Sequence, residues 1–356
     1  MIYERILKIQ DSLEENQGLI VKSGANRCYL TGFESSAGTV FVTKNKAYFL
    51  IDFRYVEKAK SVVTSCEVSL STSPLLEVKA LCEKNHIKQV FVETYSMSIN
   101  SLKSFEKVLE EVEILKSDKM DKLLEQMRSI KSEKELNAII RAQKLTDDTF
   151  SYVLERIEAG RSEIEVMLDM EFYMRRLGSE GVSFDFIVVS GKNSSLPHGV
   201  PTNKIIEKGD FVTMDFGSVV DGYRSDMTRT IAVGSVSAEQ EKVYNTVLKA
   251  QLAALDTIKP NLVCKDIDKV ARDIIYSSGY EGCFGHGLGH SVGIEIHETP
   301  AFNTVCETIT KEGMIMTVEP GIYLENKFGV RIEDMVYITK DGILNLTNSK
   351  KELIIL

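Results

Sequence analysis

Apolar and polar positions along this chain follow two periods, and the switches between them outline its organisation. Residues 1–15 place Ile2, Ile6, Leu7, Ile9 and Leu13 on one side of a 3.6-residue repeat, which predicts an amphipathic helix. Short apolar runs follow at Gly18–Val21, Gly38–Val42 and Lys46–Ile51, separated by turn residues, and predict strands. Ser73-Pro74 breaks the chain before a helix over about 75–85, and Gln89–Val92 reads as another buried strand. Strands alternating with helices describe a small α/β unit ending near residue 115. The highly charged stretch 117–135 predicts an exposed helix and hinge. The domain boundary is placed near Met127, giving domains 1–127 and 128–356.

Beyond the boundary the 3.6 period dominates. Ser132–Glu135, Ser162–Glu165 and Ser237–Gln240 each have the form of a capping box opening a helix. The first helix carries Leu136, Ile139, Ile140, Ala142 and Leu145 as its stripe. The second runs to about Leu177-Gly178. The third carries Val243, Val247, Ala250, Ala254 and Ile258 and is ended by Pro260. A fourth spans about 266–277, with Gly279 as its C-cap. Strand regions at 186–233 and 288–355 complete the order helix, helix, strands, twice over.

The two strand regions echo each other. Gly209 lies six residues before Asp215 and Gly217 two after it; Gly313 lies six before Glu319 and Gly321 two after it. A second acid follows each, Asp226 eleven residues on and Glu333 fourteen on. The expected architecture is α+β, with two pseudo-symmetric α-α-β halves that each donate a pair of carboxylates to a shared cleft.

Composition narrows the function classes. The chain has 356 residues, 43% hydrophobic and 27% charged, with a net charge of −9 and no basic tract, which argues against nucleic acid as a partner. No segment resembles a signal peptide or approaches a membrane span, so a cytoplasmic location without membrane contact is expected. Six scattered cysteines, at 28, 66, 82, 264, 283 and 306, form no CxxC pair and read as reduced thiols. Cys283, near His286, lacks a helix N-terminus to activate it as a nucleophile.

Four acids in largely apolar strands need compensation, because an unpaired buried charge is costly. Arg224, Arg229 and Arg331 could pair with some of them, with two of these arginines facing solvent; three arginines do not neutralise four acids. Divalent metals would, and oxygen-rich ligation with one imidazole suits Mn²⁺ first, then Co²⁺, Zn²⁺ or Fe²⁺. Two such ions about 3.5–4 Å apart make a hydrolytic centre that activates water and polarises a carbonyl. Arg331 and Glu333, two apart on a strand over 330–337, share a face, so Arg331 would orient a ligand carboxylate. His86 reads as a surface residue. His198, His286, His290 and His297 lie in glycine- or proline-rich segments, where they could bind metal, hold an oxyanion or move protons.

The segments GKNSSLPHGVP, MDFGSVVDGYRSDMTRT, GHGLGHSVGIEIHETP, TVEPGIY and GVRIED together resemble the pita-bread metallopeptidases, specifically the prolidases and Xaa-Pro aminopeptidases. The stretch NRCYLTGFESSAGTVFVTKNKAYFLIDFRY resembles the creatinase-like N-terminal domain of that branch. The resemblance implies dinuclear-metal-dependent cleavage of the bond between an N-terminal residue and proline. It implies Asp215, Asp226, His290, Glu319 and Glu333 as metal ligands, with Asp226 and Glu333 bridging. His290 and Glu319 would complete one site and Asp215 the other.

By the same resemblance His198, His286 and His297 line the substrate site, His297 aiding the tetrahedral intermediate, and Glu319 moves the proton of the attacking water. Arg331 and Tyr323 support them. A homodimer is implied, with Asp52, Arg54 and Tyr55 as contact candidates against the reading of a structural turn. GHGLG at His286 also resembles the ligand loop of methionine aminopeptidases; the seven-residue spacing from His290 to His297 selects His290. A methionine aminopeptidase-like exopeptidase, a creatinase-like enzyme and a non-catalytic binding protein on the same fold are the alternatives. Completeness of the ligand set weighs against the last two.

Overall fold

The computed structural model describes residues 2–356. The chain forms two compact units, Met1–Arg128 and Ser129–Leu356. Among the described residues no helix is long and apolar enough to cross a membrane, and all six cysteines are free thiols.

The first unit is built on a six-stranded mixed sheet in the order Glu67–Leu70, Ala47–Ile51, Thr39–Thr43, Gln17–Val21, Gln89–Val92, Glu113–Leu115. Thr39–Thr43 runs antiparallel to both of its neighbours, Ala47–Ile51 and Gln17–Val21, and the outer strands join these three in parallel. Every residue of those three strands is buried, so both faces at the sheet centre are covered.

The N-terminal helix, Ile2–Asp11, buries Ile6, Ile9 and Gln10. The buried stripe continues to Leu13, leaving Leu7 on its flank, 38% exposed. The stretch read as an exposed, charged helix is instead docked. Helix Lys119–Ser129 buries Met120, Leu124 and Met127, a stripe at i, i+4, i+7 that the surrounding charges conceal in the sequence. Asp121 on this helix accepts hydrogen bonds from the Thr94 backbone N–H (3.0 Å) and hydroxyl (2.9 Å).

The second unit has the pita-bread arrangement, and the whole chain is α+β. Helices Glu133–Leu154 and Glu163–Arg176 pack on a three-stranded antiparallel sheet, Met227–Ala232, Phe211–Phe216, Ile187–Ser190. Val153, Val166, Met170, Val212 and Met214 form the core between them. Helices Ala238–Thr257 and Cys264–Ile275 pack on a five-stranded sheet containing Gly289–Ser291, Ile315–Val318 and Asp334–Ile338. Val243, Val247, Ala254, Ile267, Met316 and Val336 fill that core.

All three capping boxes form; at Ser162, for example, the Glu165 carboxylate accepts from the Ser162 N–H at 2.8 Å. The long helix Glu133–Leu154 departs from its expected stripe: Ile140 is 37% exposed, while polar Thr146 and Asp147 are buried. Their partners explain this. Thr146 meets the Ser225 hydroxyl at 2.8 Å, and Asp147 accepts from Ser349 N–H (2.9 Å) and Oγ (2.6 Å).

The internal repeat is physical. Gly209 and Gly313 turn the chain into equivalent strands with φ of 93° and 92°, values that L side chains rarely adopt. In each half a two-stranded hairpin is inserted between the paired acids: Val219–Arg224 between Asp215 and Asp226, and Gly321–Arg331 between Glu319 and Glu333. Both second acids then stand one residue before a sheet strand, at Met227 and at Asp334.

The halves are stitched where these acids converge. Glu333 N–H donates to Thr228 O (3.1 Å), and Thr230 Oγ1 donates to Arg331 O (3.0 Å). Arg229 is wholly buried beneath them. It pairs with Asp334 Oδ1 at 2.8 Å and donates to Ser349 O (2.7 Å) and Lys350 O (2.9 Å) of the C-terminal tail.

Gly217, just past Asp215, sits where a Cβ would lie 1.9 Å from the Ser225 carbonyl oxygen. That contact is backbone and cannot swing aside. Gly217→Ala should therefore lower stability by about 1–3 kcal/mol, measured by denaturant titration; a cost below a few tenths would show that the hairpin is free to shift.

Candidate metal centre and active site

Asp215 lies within strand Phe211–Phe216, opposite Thr228 in the antiparallel ladder. Asp226 enters the neighbouring strand. Glu319 follows strand Ile315–Val318, and Glu333 precedes its partner, Asp334–Ile338. Strand ends from both halves thus bring the four acids to one cleft of about 480 Å³, whose walls also include His198, His286, His290 and His297. One oxygen each of Asp215, Asp226 and Glu333 lies within 4.8 Å of the others.

The carboxylates are held from behind. Arg331 Nη2 donates to Asp215 Oδ2 at 2.7 Å, and its Nε donates to Thr228 Oγ1 at 2.9 Å. Thr228 donates in turn to Glu333 Oε2 at 2.7 Å. Thr317 Oγ1 donates to Glu319 Oε1 at 3.2 Å. The outward oxygens, Asp215 Oδ1 and Glu333 Oε1, are buried without a hydrogen-bond partner. Buried carboxylate oxygens in that condition are costly unless a cation or proton meets them.

The histidines divide by what their ring nitrogens touch. His286 Nδ1 donates to Gly287 O (2.8 Å), so its Nε2 accepts from the Tyr323 hydroxyl (2.9 Å). That hydroxyl accepts from Arg331 Nη1 (2.8 Å). Both nitrogens of His286 are therefore spoken for. His290 donates from Nδ1 to Ser291 O (3.2 Å), which leaves the Nε2 lone pair 3.3 Å from Glu319 Oε1 and 3.7 Å from Asp226 Oδ2. His297 packs edge-on against His290, ring centroids 4.5 Å apart, and is exposed at the cleft, as is His198.

Burial dominates the electrostatics. It pushes the Asp226 carboxyl well above its ordinary value, reinforced by Glu333, Asp215 and Glu319, and does the same to Glu333 with Glu319 and Asp215 adding to it. Glu319 is pushed up to about 8, with Arg331 opposing and Asp215 reinforcing the shift. Burial lowers His286 and His290 to about 4 and also lowers His297, so these imidazoles are neutral near pH 7. Burial would lower Arg331, but Tyr323, Asp215 and Glu319 together hold it well above the usual guanidinium value. Three carboxyls driven toward protonation, beside neutral imidazoles, form a set that divalent cations would fit.

Several sequence expectations are revised by this geometry. The strand expected over 330–337 is two strands, Phe328–Arg331 and Asp334–Ile338, and Arg331 reaches Asp215 rather than its sequence neighbour Glu333. No arginine of the three faces solvent freely: Arg229 and Arg331 are buried, and half-buried Arg224 donates to Ser183 O (3.1 Å) and Ile294 O (2.6 Å). Gly289, beside His290, admits a neighbouring strand: a Cβ there would lie 2.1 Å from Thr317 O. Asp52 and Arg54 form a 2.6 Å ion pair within a turn over residues 52–55, and the Tyr55 hydroxyl meets Ser36. Thr228 and Thr317 were missed. Each lies two residues from a site acid, Asp226 and Glu319, and that period-two spacing was the available signal.

Residues 137–340 match the model of metallopeptidase family M24, and residues 5–130 match that of the creatinase/prolidase N-terminal domain. The Xaa-Pro dipeptidase of Pyrococcus horikoshii is 36% identical over 359 residues, covering 99% of both chains. The solved Xaa-Pro dipeptidase from Bacillus anthracis superposes with a TM-score of 0.95 at 39% identity, over 100% of both chains. X-Pro aminopeptidase from Thermotoga maritima gives 0.90 at 33% identity, over 98% of this chain and 100% of that one. With both domain models matched in order and full-length similarity to these peptidases, the chain belongs to metallopeptidase family M24 and is a metallo-exopeptidase that uses divalent metal ions.

Proposed function

We propose that this protein hydrolyses the peptide bond between an N-terminal residue and proline, as an Xaa-Pro dipeptidase or Xaa-Pro aminopeptidase. The observation that carries the reading is the convergence of Asp215, Asp226, Glu319, Glu333 and the His290 Nε2 lone pair, with two buried carboxylate oxygens lacking any partner. The full-length likeness to proteins named for Xaa-Pro cleavage supports the substrate class. Those five residues would hold two divalent ions, Mn²⁺ foremost, with Asp226 and Glu333 shared between them. When bound, the ions would acidify water and polarise the scissile carbonyl.

The chain's own residues do the rest. Arg331 and Thr228 fix Asp215 and Glu333 so that their outward oxygens face the cleft. Glu319, steadied by Thr317, takes the proton released as water is activated. His297, neutral and exposed at the cleft, aids the tetrahedral intermediate, and the proton taken by Glu319 goes to the leaving proline nitrogen, directly or relayed through a histidine. His198 and His286 line the substrate side, with Tyr323 and Arg331 behind His286. The family resemblance further supports a homodimer.

With added Mn²⁺ or Co²⁺, an Xaa-Pro dipeptide or an Xaa-Pro-Xaa tripeptide should be cleaved, and a Met-Ala peptide should not. Cleavage of the Met-Ala peptide alone would replace this reading with the methionine aminopeptidase one. Metal analysis tests the ligand assignment separately. His290→Ala should lose bound metal while His286→Ala keeps it, and the reverse pattern would exchange their roles.

The carboxyl shifts set a pH dependence. The folded-state value of Glu319, about 8, exceeds its ordinary 4.5, so between these values the metal-free native state holds more protons than the unfolded chain. The stability this contributes is present below the lower value and is lost as pH rises through the higher one. The thermal midpoint of chelator-treated protein should fall as pH rises from about 6 to 9, with Mn²⁺ suppressing the fall. Parallel curves with and without metal would contradict it.

A further inference from the structure

Glu163 is the first residue of helix Glu163–Arg176, and it is wholly buried. Its carboxylate is surplus to the helix start. Ser162 already caps that end, its Oγ accepting from Glu165 N–H at 3.3 Å while Glu165 answers the Ser162 N–H at 2.8 Å. Every donor recorded on Glu163 comes instead from the two ends of one loop. Oε1 accepts from Ser190 N–H (2.7 Å), Ser190 Oγ (2.9 Å) and Asn193 Nδ2 (3.1 Å). Oε2 accepts from Thr202 N–H (3.0 Å), Thr202 Oγ1 (2.7 Å) and, at 3.3 Å, Asn193 Nδ2. None of these donors is a basic side chain.

Ser190 ends strand Ile187–Ser190, and Thr202 lies just past segment 191–201, which carries Pro197, His198 and Gly199 along the cleft wall. The backbone repeats the connection: Glu163 N–H donates to Lys204 O and Ile164 N–H to Thr202 O, each at 3.1 Å. The loop's middle is held from the opposite side. Arg331 Nη1 donates to Pro197 O (3.1 Å), and Ser194 Oγ accepts from Gly329 N–H (2.9 Å). His198 is exposed at the rim, so the course of its loop, rather than packing around the ring, sets where the imidazole stands.

We propose that Glu163 is a positioning residue for substrate engagement: by closing both ends of loop 191–202 it presents His198 to the cleft, in concert with Arg331 at Pro197. The inference rests on the assignment of His198 to the substrate side made above. A buried carboxylate filled by five loop donor groups costs much to alter, because replacing one oxygen by an amide sets donor against donor.

A double-mutant cycle on the full-length, Mn²⁺-loaded protein tests it, with kcat and KM measured on an Xaa-Pro dipeptide. Glu163→Gln should lower kcat/KM by about tenfold or more, with metal content unchanged. In a His198→Ala background the same change should cost less than about twofold, because the effect passes through His198. Thr202→Val, which removes one donor from the loop side, should show the same background dependence and serves if Glu163→Gln fails to fold. Equal penalties in both backgrounds, or no penalty for either variant, would overturn the role of Glu163 alone. Wild-type kcat/KM for His198→Ala would instead remove His198 from the substrate site, and this role for Glu163 with it.

Discussion

The second unit depends on an imbalance of buried charge. Glu333 and Asp334 are adjacent, both fully enclosed, and treated in opposite ways. Asp334 is met by Arg229, Lys351, Gln251 and Asn345, and the cations beside it hold its carboxyl below the ordinary value against the pull of burial. Glu333 receives one hydroxyl, keeps one oxygen unpartnered and is driven up. The chain therefore has the means to neutralise a buried acid and uses them one residue away. The uncompensated charge belongs to the cleft, where a divalent cation can answer it.

The neutrality of the histidines follows from the same enclosure. Burial disfavours imidazolium at His286 and His290 even though carboxylates stand beside His290. Backbone carbonyls take the Nδ1 proton in both rings, which fixes the tautomer and decides where each Nε2 lone pair points. His286 spends its lone pair on Tyr323, whereas His290 keeps its own facing Glu319 and Asp226. Two histidines four residues apart thus acquire different chemistry from their neighbours alone.

What could be read in the sequence was local or repeated. Capping boxes at Ser132, Ser162 and Ser237 need only two residues, three positions apart, to agree, and the Gly–acid–Gly spacing recurs because two halves share one geometry. The pairing of Arg331 with Asp215, 116 residues apart, was hidden by a hairpin edge mistaken for the middle of one strand. The docked helix 119–129 was hidden by its own composition, since its three buried apolar residues are outnumbered by the charges around them. Glu163 was visible only as part of a cap motif; its partners at Ser190 and Thr202 are long-range contacts that no periodicity encodes.

The hairpins between the paired acids carry a further consequence. Asp215 and Asp226 come from one half, Glu319 and Glu333 from the other, and neither half holds a complete set. Because both halves lie on one chain, their encounter is unimolecular, and the second pair of acids is present at a fixed effective concentration however dilute the protein becomes. A centre assembled from two separate chains would come apart on dilution. Here the peptide connection between the halves makes the completeness of the site independent of how much protein the cell contains.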